Sequence, residues 1–277
     1  FKTGNVLSNT NIFDVNNIKI EKKGNTSNNV LANLAIKKGF NELINRILLE
    51  EDGKKLNQLK LSEIKELVTY YQVSKQTDND NKLEIINFNI SFDKDKIHNL
   101  FYKKGVSYSE ISNKELYILP VLKKKDKIFI YNQNFFYDKW NSFYKTKLIE
   151  FILPQENIEI IQNISSNRNN LLNLDLRSLF AEYSGKNLAL VIIENNNIKE
   201  ETIYFKTQIQ DKNIIKNIKL KRFNLSNEEF NEKVINEIKK ELINLIKSQN
   251  LIDVRIPSFL NAQLIIDNKN NLVELNS

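Results

Sequence analysis

The stretch IFDVNNIKI (residues 12–20), followed after a short turn by NNVLANLAIKKGFNELINRILL (residues 28–49), decides the fold class of this chain. In the first segment Ile12, Phe13, Val15, Ile18 and Ile20 alternate imperfectly, which predicts a strand with a bulge or turn at Asn16–Asn17. In the second, Val30, Leu31, Leu34, Ala35, Phe40, Leu43, Ile44, Ile47 and Leu48 recur at helical spacing, while Lys37, Lys38, Glu42 and Asn45 fill the opposite face. Ser27 or Thr26 is placed to cap this helix. Gly39 lies inside it and predicts close packing on a sheet. A strand followed by a one-faced helix is the opening of a mixed α/β unit.

Working outward, Glu50 to Lys55 break the helical pattern around Gly53, and Ser62–Val68 predicts a short helix with Leu61 just before its cap. Val68–Lys75 and Lys82–Phe92 predict strands joined by the turn Asp78-Asn79-Asp80-Asn81, the second strand changing phase between Ile85 and Phe88. Asp93 caps a predicted helix over Lys94 to Lys104 that ends at Gly105. Leu116–Leu122 and Lys127–Tyr131 predict strands about the turn Lys123–Asp126. Beyond Leu148 the pattern predicts a strand over Ile149–Leu153 and a polar, loop-like segment over Asn163–Asn170. A helix over Leu174–Tyr183 and strands over Leu188–Ile193, Ile198–Thr207 and Ile214–Phe223 follow. Ser226 with Glu229 forms a capping box before a long helix whose inward face is Phe230, Val234, Ile238, Leu242 and Leu245. Ala262–Asp267 and Leu272–Leu275 predict a hairpin. The expected architecture is therefore α+β. It comprises two sheet-plus-helix units, each an antiparallel or mixed sheet covered by amphipathic helices, over residues 1–147 and 148–250, with the start of an incomplete third unit over 251–277.

Composition narrows the function classes. The 277 residues suit two domains. Aromatic residues at 10% and hydrophobic residues at 41% argue for packed cores over a disordered chain. The chain has no cysteine, which excludes disulfides, zinc–thiolate sites, iron–sulfur clusters and cysteine nucleophiles, and which fits an exported protein. It has no methionine either, even at position 1, so it reads as a processed product or a fragment. No apolar run reaches the length of a membrane span. The net charge of +7 comes from lysines scattered among acids along the whole chain, so specific nucleic-acid binding is disfavoured.

No motif assembles a catalytic centre. His98 is the single histidine, reads as an exposed helix residue, and has no aligned carboxylate partner. Asp78-Asn79-Asp80-Asn81 lacks the central Gly and distal Glu of a calcium loop. Gly53-Lys54-Lys55 lacks the remainder of a phosphate loop. The acids Glu50, Glu51, Asp52 and the pair Glu200, Glu201 read as solvated surface. The aromatic stretch Phe135, Phe136, Tyr137, Trp140 and Tyr144, interleaved with Lys139, Lys145 and Lys147, is the one candidate binding surface. The competing reading, in which Phe136, Trp140 and Tyr144 staple the junction of the two units, is favoured because aromatics supply much of ordinary core burial.

Several segments carry a family resemblance. Phe13-Asp14-Val15-Asn16-Asn17-Ile18-Lys19-Ile20 leads to Asn33-Leu34-Ala35-Ile36-Lys37-Lys38-Gly39-Phe40-Asn41-Glu42-Leu43-Ile44. Ile90-Ser91-Phe92-Asp93 precedes a short helix and Gly105-Val106-Ser107-Tyr108. Leu116-Tyr117-Ile118-Leu119-Pro120-Val121 is followed by Asn134 and Trp140. This order resembles the bacterial domain of unknown function 2066 (DUF2066), well over residues 11–154 and loosely beyond. The resemblance implies a periplasmic or envelope location, with a signal peptide removed before Phe1, and a family that continues past Ser277. It brings no activity and no site residues. The first unit is also similar to small α/β interaction domains of envelope proteins. The expectation is a non-catalytic periplasmic interaction or scaffold module, without cofactor or metal, whose partner is another envelope protein. The alternatives are a hydrolase using carboxylates between the units, and a single-strand nucleic-acid or glycan binder working through the aromatic stretch.

Overall fold

The computed structural model describes residues 11–77, 84–112, 114–143, 148–197 and 200–255. The Asp78–Asn81 turn, Tyr144 and the hairpin expected after Ala262 lie outside the described residues. The fold is α+β, as the alternating periodicities predict, with a three-stranded and a six-stranded sheet.

The first sheet has the order β1-β3-β2, all antiparallel, from β1 (Asp14–Lys22), β2 (Val68–Thr77) and β3 (Glu84–Phe92). Its register shifts between Val15 and Ile18, where Asn17 takes φ +62° and its N–H donates to Asn89 Oδ1 at 2.9 Å. This bulge turns Phe13, Val15 and Ile18 all toward the core and accounts for the broken alternation in the sequence. In β3, Ile86, Phe88, Ile90 and Phe92 are buried in unbroken alternation. The expected change of phase is absent, because Ile85 faces the other side of the sheet.

Helix α1 (Asn28–Ile47) lies across this sheet. Ser27 occupies its N-cap position, but its side chain makes no capping bond. A Cβ at Gly39 would stand 2.8 Å from Ile18 Cδ1 and 3.1 Å from Ile90 Cδ1, so glycine sets how closely helix and sheet approach. Residues Glu50–Lys55, expected to break the pattern, form a short helix α2. Its acids lie in the first turn and its lysines in the last, which suits the helix dipole. Helices α3 (Leu61–Glu66) and α4 (Lys94–Lys104) follow. Asp93 caps α4 by accepting from the Lys96 N–H, and Gly105 closes it at φ +60°.

The second sheet runs β5-β4-β7-β8-β9, with β6 also paired to β4. Its strands are β4 (Lys114–Lys124), β5 (Lys127–Phe129), β6 (Ile149–Ile152), β7 (Leu188–Asn197), β8 (Glu200–Ile209) and β9 (Lys212–Lys221). Strands β6, β4 and β7 are parallel neighbours, whereas β7, β8 and β9 run antiparallel. The boundary expected at residue 148 therefore does not separate the two sheets, since β4 precedes it and pairs with β6 and β7 beyond it.

Both faces of this sheet are covered. Ala189, Val191 and Ile193 of β7 face α8 (Asn227–Gln249), while Leu188, Leu190 and Ile192 face α6 (Ile158–Ser166) and α7 (Leu176–Leu179). The polar run from Asn163 was expected as loop, yet it is helical to Ser166, because Ile160 and Ile164 share a buried stripe that the asparagines obscure. The helix expected over Leu174–Tyr183 is reduced to α7, flanked by 3₁₀ turns at Leu171–Asn173 and Ala181–Tyr183. The capping box on α8 forms as predicted: Ser226 Oγ accepts from the Glu229 N–H, and Glu229 Oε2 from the Ser226 N–H.

Candidate functional site

The aromatic stretch surrounds α5 (Phe135–Asp138). Trp140 is 0% exposed and Phe136 is buried, both in the core between the six-stranded sheet and α8. Trp140 meets Phe151 edge to face at 5.8 Å. Lys239 Nζ sits 5.1 Å over the indole and donates to the Trp140 and Phe143 carbonyls at 2.6 Å. Burial lowers the Lys239 pKa to about 8. Tyr137 is half-buried and donates its hydroxyl to the Pro154 carbonyl. These residues tie the second sheet to its own helix and loops. Phe135 keeps an exposed part, and with Phe136 it lines a cleft.

That cleft, of about 290 Å³, opens where the parallel strands β4 and β7 end, beside the first turns of α8. Leu122 and Lys124 come from β4, Asn195 from β7, Glu201 from β8, Arg222 from just past β9, and Asn227 and Asn231 from α8. Glu200 and Glu201 were expected together on solvated surface, but the pleat sends them to opposite faces. Glu201 shares the inward side of β8 with Ile203 and Phe205 and is 1% exposed. Its Oε1 accepts from Asn195 Nδ2 at 2.9 Å, while Oε2 has no hydrogen-bond partner among the described residues. Burial pushes its pKa up to about 6, against the opposing pull of Arg222 and Lys124. Arg222 Nη1 donates to Asn227 Oδ1 at 2.5 Å, its guanidinium lies 4.9 Å over the Phe230 ring, and its Nε is without a partner among the described residues. The sequence signal for Glu201 was its place in the alternation with Ile203, Phe205 and Ile209.

A second surface belongs to the first sheet. Strand β2 is an edge, hydrogen-bonded only to β3 among the described strands. Tyr71 and Val73 pair with the buried Ile90 and Phe88, which places them on the face that α1 covers elsewhere. Helix α1 does not reach them, and Tyr71 is 45% and Val73 51% exposed. An open groove of about 380 Å³ runs between α1, at Ala32 and Ile36, and β2, at Val68 and Tyr71. Tyr70 on the same strand and Val30 and Leu34 on α1 are also exposed.

His98, expected alone on the surface, is half-buried with a carboxylate partner. Its Nε2 bonds Glu110 Oε1, its ring stacks on Tyr108 at 4.7 Å, and Lys94 pairs with the other Glu110 oxygen at 2.9 Å. Glu110 comes from the loop beyond Gly105, a contact that spacing along α4 could not reveal. Among the described residues, no group of three or more acids and histidines converges to hold a metal ion. Nor is any helix among them long and apolar enough to cross a membrane.

The chain matches no protein-family model and no curated protein. One solved structure, described as "Crystal structure of uncharacterized protein", is similar over 50% of this chain and 93% of its own, at 13% identity and a TM-score of 0.21. A likeness that low carries no argument about fold or function.

Proposed function

We propose that this protein is a non-catalytic interaction module of the bacterial envelope, docking an extended apolar segment of a partner protein along the edge of β2. The observation that carries this reading is the uncovered part of the first sheet. Tyr71 and Val73 point to the helix side, lie beyond the reach of α1, and sit on a strand whose outer edge is hydrogen-bonded to no other described strand. Folded proteins normally blunt such an edge, because free N–H and C=O groups beside apolar side chains template strand addition. An added strand would bond to the β2 backbone and bury alternate side chains against Tyr71 and Val73. The envelope location rests on the family resemblance alone. The cleft at Glu201 gives no support to the hydrolase alternative, since Glu201 is the single carboxylate among the described residues lining it.

Site-specific photocrosslinking in bacterial cells tests the proposal. A crosslinking side chain in place of Val73 is expected to give one discrete protein adduct. The same group in place of Tyr102, an exposed residue of α4, is expected to give none. Equal adducts at both positions, or none at Val73, would overturn it.

A further inference from the structure

The cleft at Glu201 holds unfilled hydrogen-bonding groups of opposite kinds. Glu201 Oε2 is a buried acceptor without a donor, and Arg222 Nε a donor without an acceptor. A buried polar atom left unbonded costs free energy, so a native fold that retains two in one cleft has them completed by something else. The charges are also unbalanced. Neither Arg222 nor Lys124 has a carboxylate within ion-pairing distance among the described residues, and Glu201 is the one acid in the cleft. Arg222 is held in place by its bond to Asn227 and by the Phe230 ring, so its unpartnered Nε–H is pre-oriented.

We infer that this cleft is a binding site for a small hydroxylated organic anion, of the size of a hydroxy acid or sugar acid. The acid group of the ligand satisfies Arg222 and Lys124, a guanidinium being suited to a carboxylate. A hydroxyl donates to Glu201 Oε2. The carbon skeleton lies against Phe135, and the Asn231 amide is within the same wall for a further hydroxyl. A volume of about 290 Å³ is at the small end for ligand pockets, which suits a ligand of a few carbons. One carboxylate is too few for a dedicated divalent-cation site. This site is separate from the β2 edge, and either proposal can fail without the other.

Calorimetric titration of the full chain with three six-carbon probes tests the inference. D-gluconate carries acid and hydroxyls, glucitol only hydroxyls, and hexanoate only the acid. Gluconate is expected to bind about tenfold or more tightly than either control, the worth of one hydrogen bond to a charged group. Lys124 is exposed, so Lys124→Ala should fold normally and weaken gluconate and hexanoate alike. Glu201→Leu removes a negative charge beside Arg222 and Lys124, so it should bind hexanoate at least as well as the parent while abolishing the advantage of gluconate over it, a pattern that general loss of structure does not produce. The inference is wrong if glucitol or hexanoate equals gluconate, if neither gluconate nor its shorter homologue glycerate binds, or if both variants bind gluconate as the parent does.

Discussion

Gly39 lacks a side chain where α1 comes closest to the sheet, and the obstacle is specific: the Cδ1 atoms of Ile18 and Ile90. Gly39→Ala should therefore lose stability by about 1 kcal/mol, because overpacking outweighs the helix-propensity gain. Removing that methyl with Ile18→Val should absorb most of the loss, so the two changes together should be non-additive in urea unfolding. The role of Gly39 was legible in the sequence, since a glycine within a strongly periodic helix has few other uses. Glu201 was marked only by its phase with Ile203, Phe205 and Ile209, and without that phase two adjacent acids look alike. Its raised pKa fixes a pH signature. Between about 4.5 and 6 the folded protein holds a proton on Glu201 that the unfolded chain has released. That contribution to stability is fully present below about 4.5 and lost as pH rises through about 6. Glu201→Gln should remove it and leave the protein more stable than the parent at pH 8, by up to about 2 kcal/mol, in paired urea titrations at pH 4.5 and pH 8.

Helix α8 shows what an element discloses and what it conceals. Its start is written in Ser226 and Glu229, whose reciprocal bonds both form. Ser226→Ala should cost about 1 kcal/mol in urea unfolding, as expected for a lost N-cap bond. Its buried stripe was equally legible at Phe230, Val234, Ile238 and Leu242. Lys239 and Lys247 on the same buried surface were not, since a lysine beside an apolar stripe normally reads as its solvated border. Each is buried because backbone carbonyls at the ends of other segments receive its ammonium, and no periodicity records such acceptors. The edge of β2 was hidden for a similar reason. Val68–Lys75 read only as a strand of a sheet covered by helices, and the position of α1 reveals where the cover stops.

At the scale of the whole molecule, the last turns of α8 reach back to the first sheet. Lys247 Nζ donates to the Asn45 and Leu48 carbonyls at 2.6 and 3.0 Å, Lys240 pairs with Glu50 at 3.3 Å, and Tyr108 and Ile252 exchange backbone hydrogen bonds. Burial lowers the Lys247 pKa to about 8, as it does for Lys239. Between pH 8 and about 10 the unfolded chain holds protons on these lysines that the folded protein has given up, so the free energy of unfolding rises with pH. Above about 10 Tyr131, raised to about 12, acts in the opposite sense. The rise should amount to roughly 2 kcal/mol per lysine, and Lys247→Met should flatten it by about half in urea midpoints compared at pH 8 and pH 10. Two sheets were foreseeable from the sequence of elements. Which sheet β4 joins was not, because its parallel partners β6 and β7 lie beyond Leu148 and such pairing leaves no local mark.

Trp140 is the only tryptophan in the chain, and it lies wholly within the core of the six-stranded sheet. A melting curve followed by indole emission is thus a record of that sheet alone. The three-stranded sheet unfolds in the dark unless the contacts from α8 make the two melt together. Comparing the indole transition with one followed by far-ultraviolet dichroism turns this optical asymmetry into a measure of how tightly the two halves are coupled.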